Sequence, residues 1–179
     1  MSPRFEIVEP KVWHVGQMIR RLRREHLRAI AVLGVSGHHE LRDRFDESMY
    51  CRAWLIDGRL AALGGVTGSA LSFDGMVWLA LSHEAARYPL ATVREARRQL
   101  DFLVRTRARL YTTILDADET AKRFAAFVGF VAADERPDEK AASRFGRRAV
   151  LSALAEKTDI RVPVGVGHAL VMQYEREAA

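Results

Sequence analysis

The chain has 179 residues, 49% of them hydrophobic, enough to build one domain around one substantial core. Its 28 Lys and Arg against 23 Asp and Glu leave a formal charge of +5, a mild excess that suits a polyanionic partner such as a phosphorylated cofactor or nucleic acid. No run approaches the roughly 18 unbroken apolar residues of a membrane helix, and MSPRFEIVEP lacks the basic-then-apolar layout of a secretion signal. The expected location is therefore the cytoplasm, or a particle packaged from it. The single Cys51 excludes an internal disulfide and a cysteine-rich zinc site, and reads as a buried structural thiol. Only four lysines occur (Lys11, Lys122, Lys140, Lys157), Ala is abundant and Asn is absent. GC-rich coding explains that pattern without any ligand.

Residues 4–8 (RFEIV) read as a first strand. After Pro10, Val12, Val15, Ile19, Leu22, Ile30 and Leu33 recur at roughly helical spacing and predict one long helix. Its other face carries Arg20, Arg21, Arg23, Arg24 and Arg28, a solvated face before a nucleic-acid patch. Residues 34–48 read as a linker with a small helix, in which His38-His39-Glu40 lacks the spacing of a metal site.

From Tyr50 the period changes to that of strands. Asp57-Gly58 supplies the positive φ angles of a tight hairpin, and a second pair, Asp74-Gly75, introduces MVWLALS. The prediction is an antiparallel meander at about 50–56, 59–70 and 76–82. Trp54, Phe73 and Trp78 are expected as sheet-face core or pocket wall. Thr92 with Glu95 three residues on has the capping-box pattern, placing a helix whose buried stripe is Val93, Ala96, Leu100, Leu103 and Val104. LYTTIL (110–115) is β-branched and aromatic, hence a strand. A strand, a helix and a strand in that order imply a right-handed crossover with 76–82 and 110–115 parallel neighbours. Asp116 and Asp118 are candidate caps for the helix ending before Gly129-Phe130. Residues 137–157 read as an inserted helix, and 160–175 as one final strand bulged at Gly165 and Gly167 rather than a phosphate cradle.

This order, together with LDADETAKRFAAFVGF (115–130), resembles the GNAT N-acetyltransferase superfamily, in which an Asn, an Ala three residues later and a terminal Gly-Phe frame the fourth helix. Here Asp118 stands where Asn is usual, while Ala121 and Gly129-Phe130 match. The resemblance covers about residues 4–134 plus the last strand. It implies one α/β (α+β) domain: a mixed, mostly antiparallel central sheet with helices on both faces and a parallel, splayed strand pair at its centre.

It also implies acetyl-CoA as co-substrate and an amine as acceptor. Backbone groups of Leu79, Ala80 and Leu81 would pair with the pantetheine arm. The anion loop would be 83–92, where Leu90, Ala91 and Thr92 begin the following helix and Arg87 and Arg94 add charge; Arg87 and Tyr88 could instead stack on adenine or simply lie on the surface. Asp118 completes the cofactor-binding set. Glu84, just beyond the strand, is the expected base, with His83 as alternate; the same pair also reads as a solvated or capping feature.

The sequence departs from the family in two places. HEAARYPLAT contains none of the glycines that usually let the backbone curl around phosphate, and Pro89 lacks a donor. Ala125 also occupies the position of the tyrosine that serves the family as general acid. This glycine-poor pattern is similar to GNAT-like proteins of tailed bacteriophages, some of them internal virion or assembly proteins. The alternative reading is therefore a non-enzymatic virion protein, contacting itself or other virion proteins through 137–157. A nucleic-acid module using the arginine face is the remaining possibility.

Overall fold

The computed structural model describes residues 3–32, 36–68, 74–107, 109–115, 117–132, 162–164, 167–169 and 171–177. Phe73, Asp116 and the inserted helix expected at 137–157 lie outside them. In chain order the elements are β1 (Phe5–Val8), α1 (Val12–Arg21), α2 (Arg24–Val32), α3 (Gly37–Asp46), β2 (Ser48–Ile56), β3 (Arg59–Thr67) and β4 (Asp74–Leu81). They continue with α4 (His83–Arg87), α5 (Pro89–Val104), β5 (Arg109–Leu115), α6 (Glu119–Phe127), β6 (Val131–Ala132), β7 (Val162–Val164), β8 (Gly167–Ala169) and β9 (Val171–Glu177).

Seven strands form one sheet in the order β1-β2-β3-β4-β5-β9-β6. Every pairing in it is antiparallel except β4 with β5, which is parallel, as the crossover argument requires. Alternation along β2 sends Trp54 and Ile56 to one face and Ala53 and Leu55 to the other. The first face is covered by Ala96, Leu100 and Leu103 of α5 and by Ala125 and Val128 at α6. Val15 and Met18 of α1 and Leu41 of α3 cover the second. Each fully buried side chain of the Met18 or Leu63 kind contributes about 1.5–3 kcal/mol, so both helical layers are fixed by the sheet they cover.

Asp57 (φ 49°) and Gly58 (φ 73°) make the expected hairpin turn. Asp74-Gly75 does not turn: it opens β4 and pairs with Arg109 and Leu110. A Cβ at residue 75 would lie 2.7 Å from Val66 Cγ1, so that glycine serves close packing of β3 against β4. The single first helix is two, because at Leu22 the chain leaves helical geometry (ψ 142°) and bridges to Ser82.

Thr92 is not a cap. Pro89 occupies the first turn of α5, where its fixed φ and missing N–H are tolerated, and the Thr92 hydroxyl donates to the Ala85 and Tyr88 carbonyls. The segment 83–92 is accordingly not a loop but α4 followed by the start of α5. The single strand expected at 160–175 is likewise divided: β7 and β8 pair with each other in a separate two-stranded sheet, and β9 joins the main sheet beside β5.

Candidate active site

The β4–β5 ladder has three rungs, Asp74 with Arg109, Gly75 with Leu110 and Met76 with Tyr111. Beyond them the strands separate, β4 staying on β3 through Leu81 and β5 staying on β9 through Leu115. The gap is a cleft of about 680 Å³, walled by Val77 to Leu81 on one side and Thr112 to Leu115 on the other. Trp54 and Trp78 also line it; Trp78 is pinned by its Nε1–H to Ser48 Oγ (2.8 Å). Across the cleft, the Tyr50 hydroxyl donates to Gln99 Oε1 (2.7 Å) and Gln99 Nε2 to Glu95 Oε1 (2.6 Å).

The β3 register and the Ser82 N–H bond to the Ala61 carbonyl (2.9 Å) fix which backbone groups face the gap. Strand groups alternate in direction, so Ala80 points to β3, whereas Val77, Leu79 and Leu81 present their N–H and C=O toward β5. At Leu81 these groups are already taken. Its carbonyl accepts the Arg23 N–H (3.2 Å), and its N–H donates to His26 Nδ1 (3.3 Å). Of the three residues expected to pair with a pantetheine arm, Leu79 alone offers backbone groups to the cleft. The α1–α2 junction fills the edge at Leu81.

The anion segment is similarly divided. The Thr92 N–H is spent on the Tyr88 carbonyl (3.0 Å), and Arg87 is tied to Glu84 Oε2 (3.4 Å). Leu90 and Ala91 stand in the first turn of α5, whose amides have no carbonyl one turn earlier to bond; Leu90 also lines the cleft. Arg94 is exposed.

Glu84 and His83 are not among the cleft-lining residues. The Glu84 side chain is 8% exposed and held between Arg59 and Arg87, both at 3.4 Å, with His83 Nε2 at 3.5 Å. Its position follows from the start of α4, where Ser82 Oγ accepts the Glu84 N–H (3.1 Å) and aims the next turn at the β2–β3 hairpin. The carboxylate joins α4 to that hairpin rather than facing the gap.

Asp118 does reach the cleft wall. It also caps α6, with Oδ1 accepting the Ala121 N–H (2.9 Å). At the other end of α6, Phe130 N–H bonds the Ala125 carbonyl and Gly129 N–H that of Ala126, with Gly129 at φ 94°. This is a Schellman closure. His38 and His39 sit exposed on α3 and Glu40 pairs with Arg44; among the described residues no three metal-capable side chains converge.

Two cleft residues escaped the sequence argument. His26 lines the cleft from α2 and is held below the usual imidazole value, first by burial and further by the Arg23 charge, against the opposing pull of Asp118 and Glu25. Arg123 lines it from α6. Neither belongs to a motif, and only the fold brings them to the gap.

A mostly antiparallel sheet opened at one parallel pair, with helices on both faces, is the GNAT acetyltransferase fold, and solved structures share it over nearly the whole chain. The ribosomal-protein-S18-alanine N-acetyltransferase from Escherichia coli is similar with a TM-score of 0.59 at 12% identity, over 97% of this chain and 94% of that one. A GNAT-family acetyltransferase from Bacillus anthracis gives 0.60 at 10% identity, over 97% and 95%. A ribosomal L7/L12 α-N-protein acetyltransferase in complex with coenzyme A gives 0.62 at 10%, over 97% and 93%. No protein-family model and no curated sequence matches the chain. At these identities the likeness concerns the fold.

Proposed function

We propose that the chain binds acetyl-CoA in the β4–β5 cleft and transfers the acetyl group to an amine on a small molecule or protein. The observation that carries this reading is the ladder ending at Met76 and Tyr111, which leaves a strand edge and a cleft of about 680 Å³ in place of a closed sheet. An amide-bearing arm fits such an edge because it can add to it as a further strand, here against Val77 and Leu79. The Leu90 and Ala91 amides, at the positive end of the α5 dipole, suit a diphosphate. Arg94 or Arg123 would add charge. Neighbours of the same fold support the reading, one of them solved with coenzyme A. When bound, the thioester supplies an activated acyl group; the chain's own part is to orient it, exclude water from it and stabilise charge at its carbonyl oxygen.

Titration calorimetry with acetyl-CoA tests this directly. Micromolar binding with a raised melting temperature is expected; absence of heat and of thermal shift at millimolar concentration overturns it.

One observation favours a second reading, a scaffold that keeps the fold without the chemistry, as in a virion or assembly protein. The Leu81 edge is closed by the chain's own Arg23 and His26, and the segment after β4 is helical and without glycine. Under that reading acetyl-CoA is ignored and the protein assembles with itself or with partner proteins, which light scattering and co-purification would reveal.

A further inference from the structure

The α1–α2 junction is fastened to the end of β4 at three points: Leu22 bridges Ser82, Arg23 N–H donates to the Leu81 carbonyl, and Leu81 N–H donates to His26 Nδ1. The last bond decides the chemistry of the ring. A nitrogen that accepts an N–H cannot carry a proton, so the neutral imidazole must hold its proton on Nε2. Nε2 has no partner among the described residues, and the ring lines the cleft.

Resting on the acyl-transfer reading above, we propose that His26 is a catalytic residue of this cleft, donating Nε2–H to the thioester carbonyl oxygen as that oxygen becomes an oxyanion. Two features point the same way. The Leu81 N–H, aimed at the gap, is spent on Nδ1 and acts through the ring instead of directly. Burial and Arg23 disfavour the imidazolium and outweigh the opposing pull of Asp118 and Glu25, and a neutral imidazole is far too weak an acid to protonate a departing thiolate. Donation to a strongly basic oxyanion within a largely apolar cleft is the task left to it.

The step balances as follows. The lone pair of the acceptor nitrogen attacks the carbonyl carbon, and the C=O π pair moves onto oxygen, held by Nε2–H. That pair then returns, the C–S bond breaks, and sulfur leaves as thiolate. The extra proton on nitrogen passes to water, and His26 keeps its own.

Three measurements test the proposal on the full chain. Nitrogen NMR of the His26 ring at neutral pH is expected to show protonated Nε2 and bare Nδ1; the opposite tautomer or an imidazolium overturns it without touching the function. Calorimetry should give His26→Ala and His26→Gln an acetyl-CoA affinity within about threefold of wild type. Release of free thiol from acetyl-CoA, with hydroxylamine as acceptor, should fall about 10²–10³-fold in His26→Ala and less in His26→Gln, whose amide can accept from Leu81 and still donate. Wild-type turnover in both binding-competent variants overturns the donor role alone, whereas wild-type binding without any thiol release overturns the donor role together with the transfer half of the function. Failure of the wild type to bind acetyl-CoA overturns this proposal and the function together.

Discussion

Met76 and Tyr111 form the last rung of the parallel ladder between β4 and β5. Past this pair each strand keeps only its outer neighbour, and the sheet opens between Val77 and Thr112. Two antiparallel ladders hold the walls, and among the described residues the α1–α2 junction closes the gap only at its Leu81 end.

Leu79 presents its N–H to that gap, so Leu79→Pro removes one open-edge donor without breaking the ladder to β3. Losing a hydrogen bond of about 1–1.5 kcal/mol should weaken acetyl-CoA about tenfold. Calorimetry reads the change, and circular dichroism should show the fold intact.

Glu84 gives a contrasting expectation. It is buried beside two exposed arginines and lies off the cleft wall, so Glu84→Gln should cost about 1 kcal/mol of stability through weaker hydrogen bonds. Acetyl-CoA affinity and thiol release should stay unchanged. A loss of turnover with binding retained would restore Glu84 as the base.

His14 and His26 both accept a backbone N–H at Nδ1, from Lys11 (2.8 Å) and Leu81 (3.3 Å). Burial lowers both below the ordinary 6.5, so just below that pH the unfolded chain binds more protons than the folded one. Their contribution is therefore complete above pH 6.5 and is lost as pH falls toward the folded values. Urea unfolding should show the stability advantage of wild type over a His14→Gln, His26→Gln double variant shrinking below pH 6.5.

Burial pushes the Cys51 thiol up to about 12, leaving it protonated at neutral and mildly alkaline pH. Iodoacetamide should spare the native protein and alkylate it once unfolded. Cys51 is half-buried rather than fully buried as expected, and rapid native labelling would contradict even that shielding.

Gly129 stands at φ 94°, and a Cβ there would meet Arg176 Nε at 3.3 Å. Gly129→Ala should destabilise by about 1–2 kcal/mol, since left-handed backbone strains any residue with a Cβ. Thermal denaturation checks it.

The 115–130 segment explains both the reach and the limit of the sequence argument. Asp118 and Ala121 begin α6 by a cap, and Gly129-Phe130 ends it by a Schellman turn that seats Phe130 in the core. These residues build a helix, so they reveal the fold and are silent on chemistry. Thr92 shows the reverse error: its spacing to Glu95 mimics a capping box, but Pro89 one turn earlier fixes the helix start. Leu22 kept helical spacing across a break at which the chain is fastened to the end of β4.

Local chemistry determined the hairpin at Asp57-Gly58, the alternation of β2, the stripe of α5 and the parallel crossover, because turn geometry, side-chain period and chain handedness act over neighbouring residues. Tertiary structure alone decided that β4 and β5 part after three rungs, that Glu84 turns to Arg59, and that His26 meets Leu81 across 55 positions. Those relations depend on how distant backbone edges compete for hydrogen-bond partners, and no local pattern in the sequence encodes that competition.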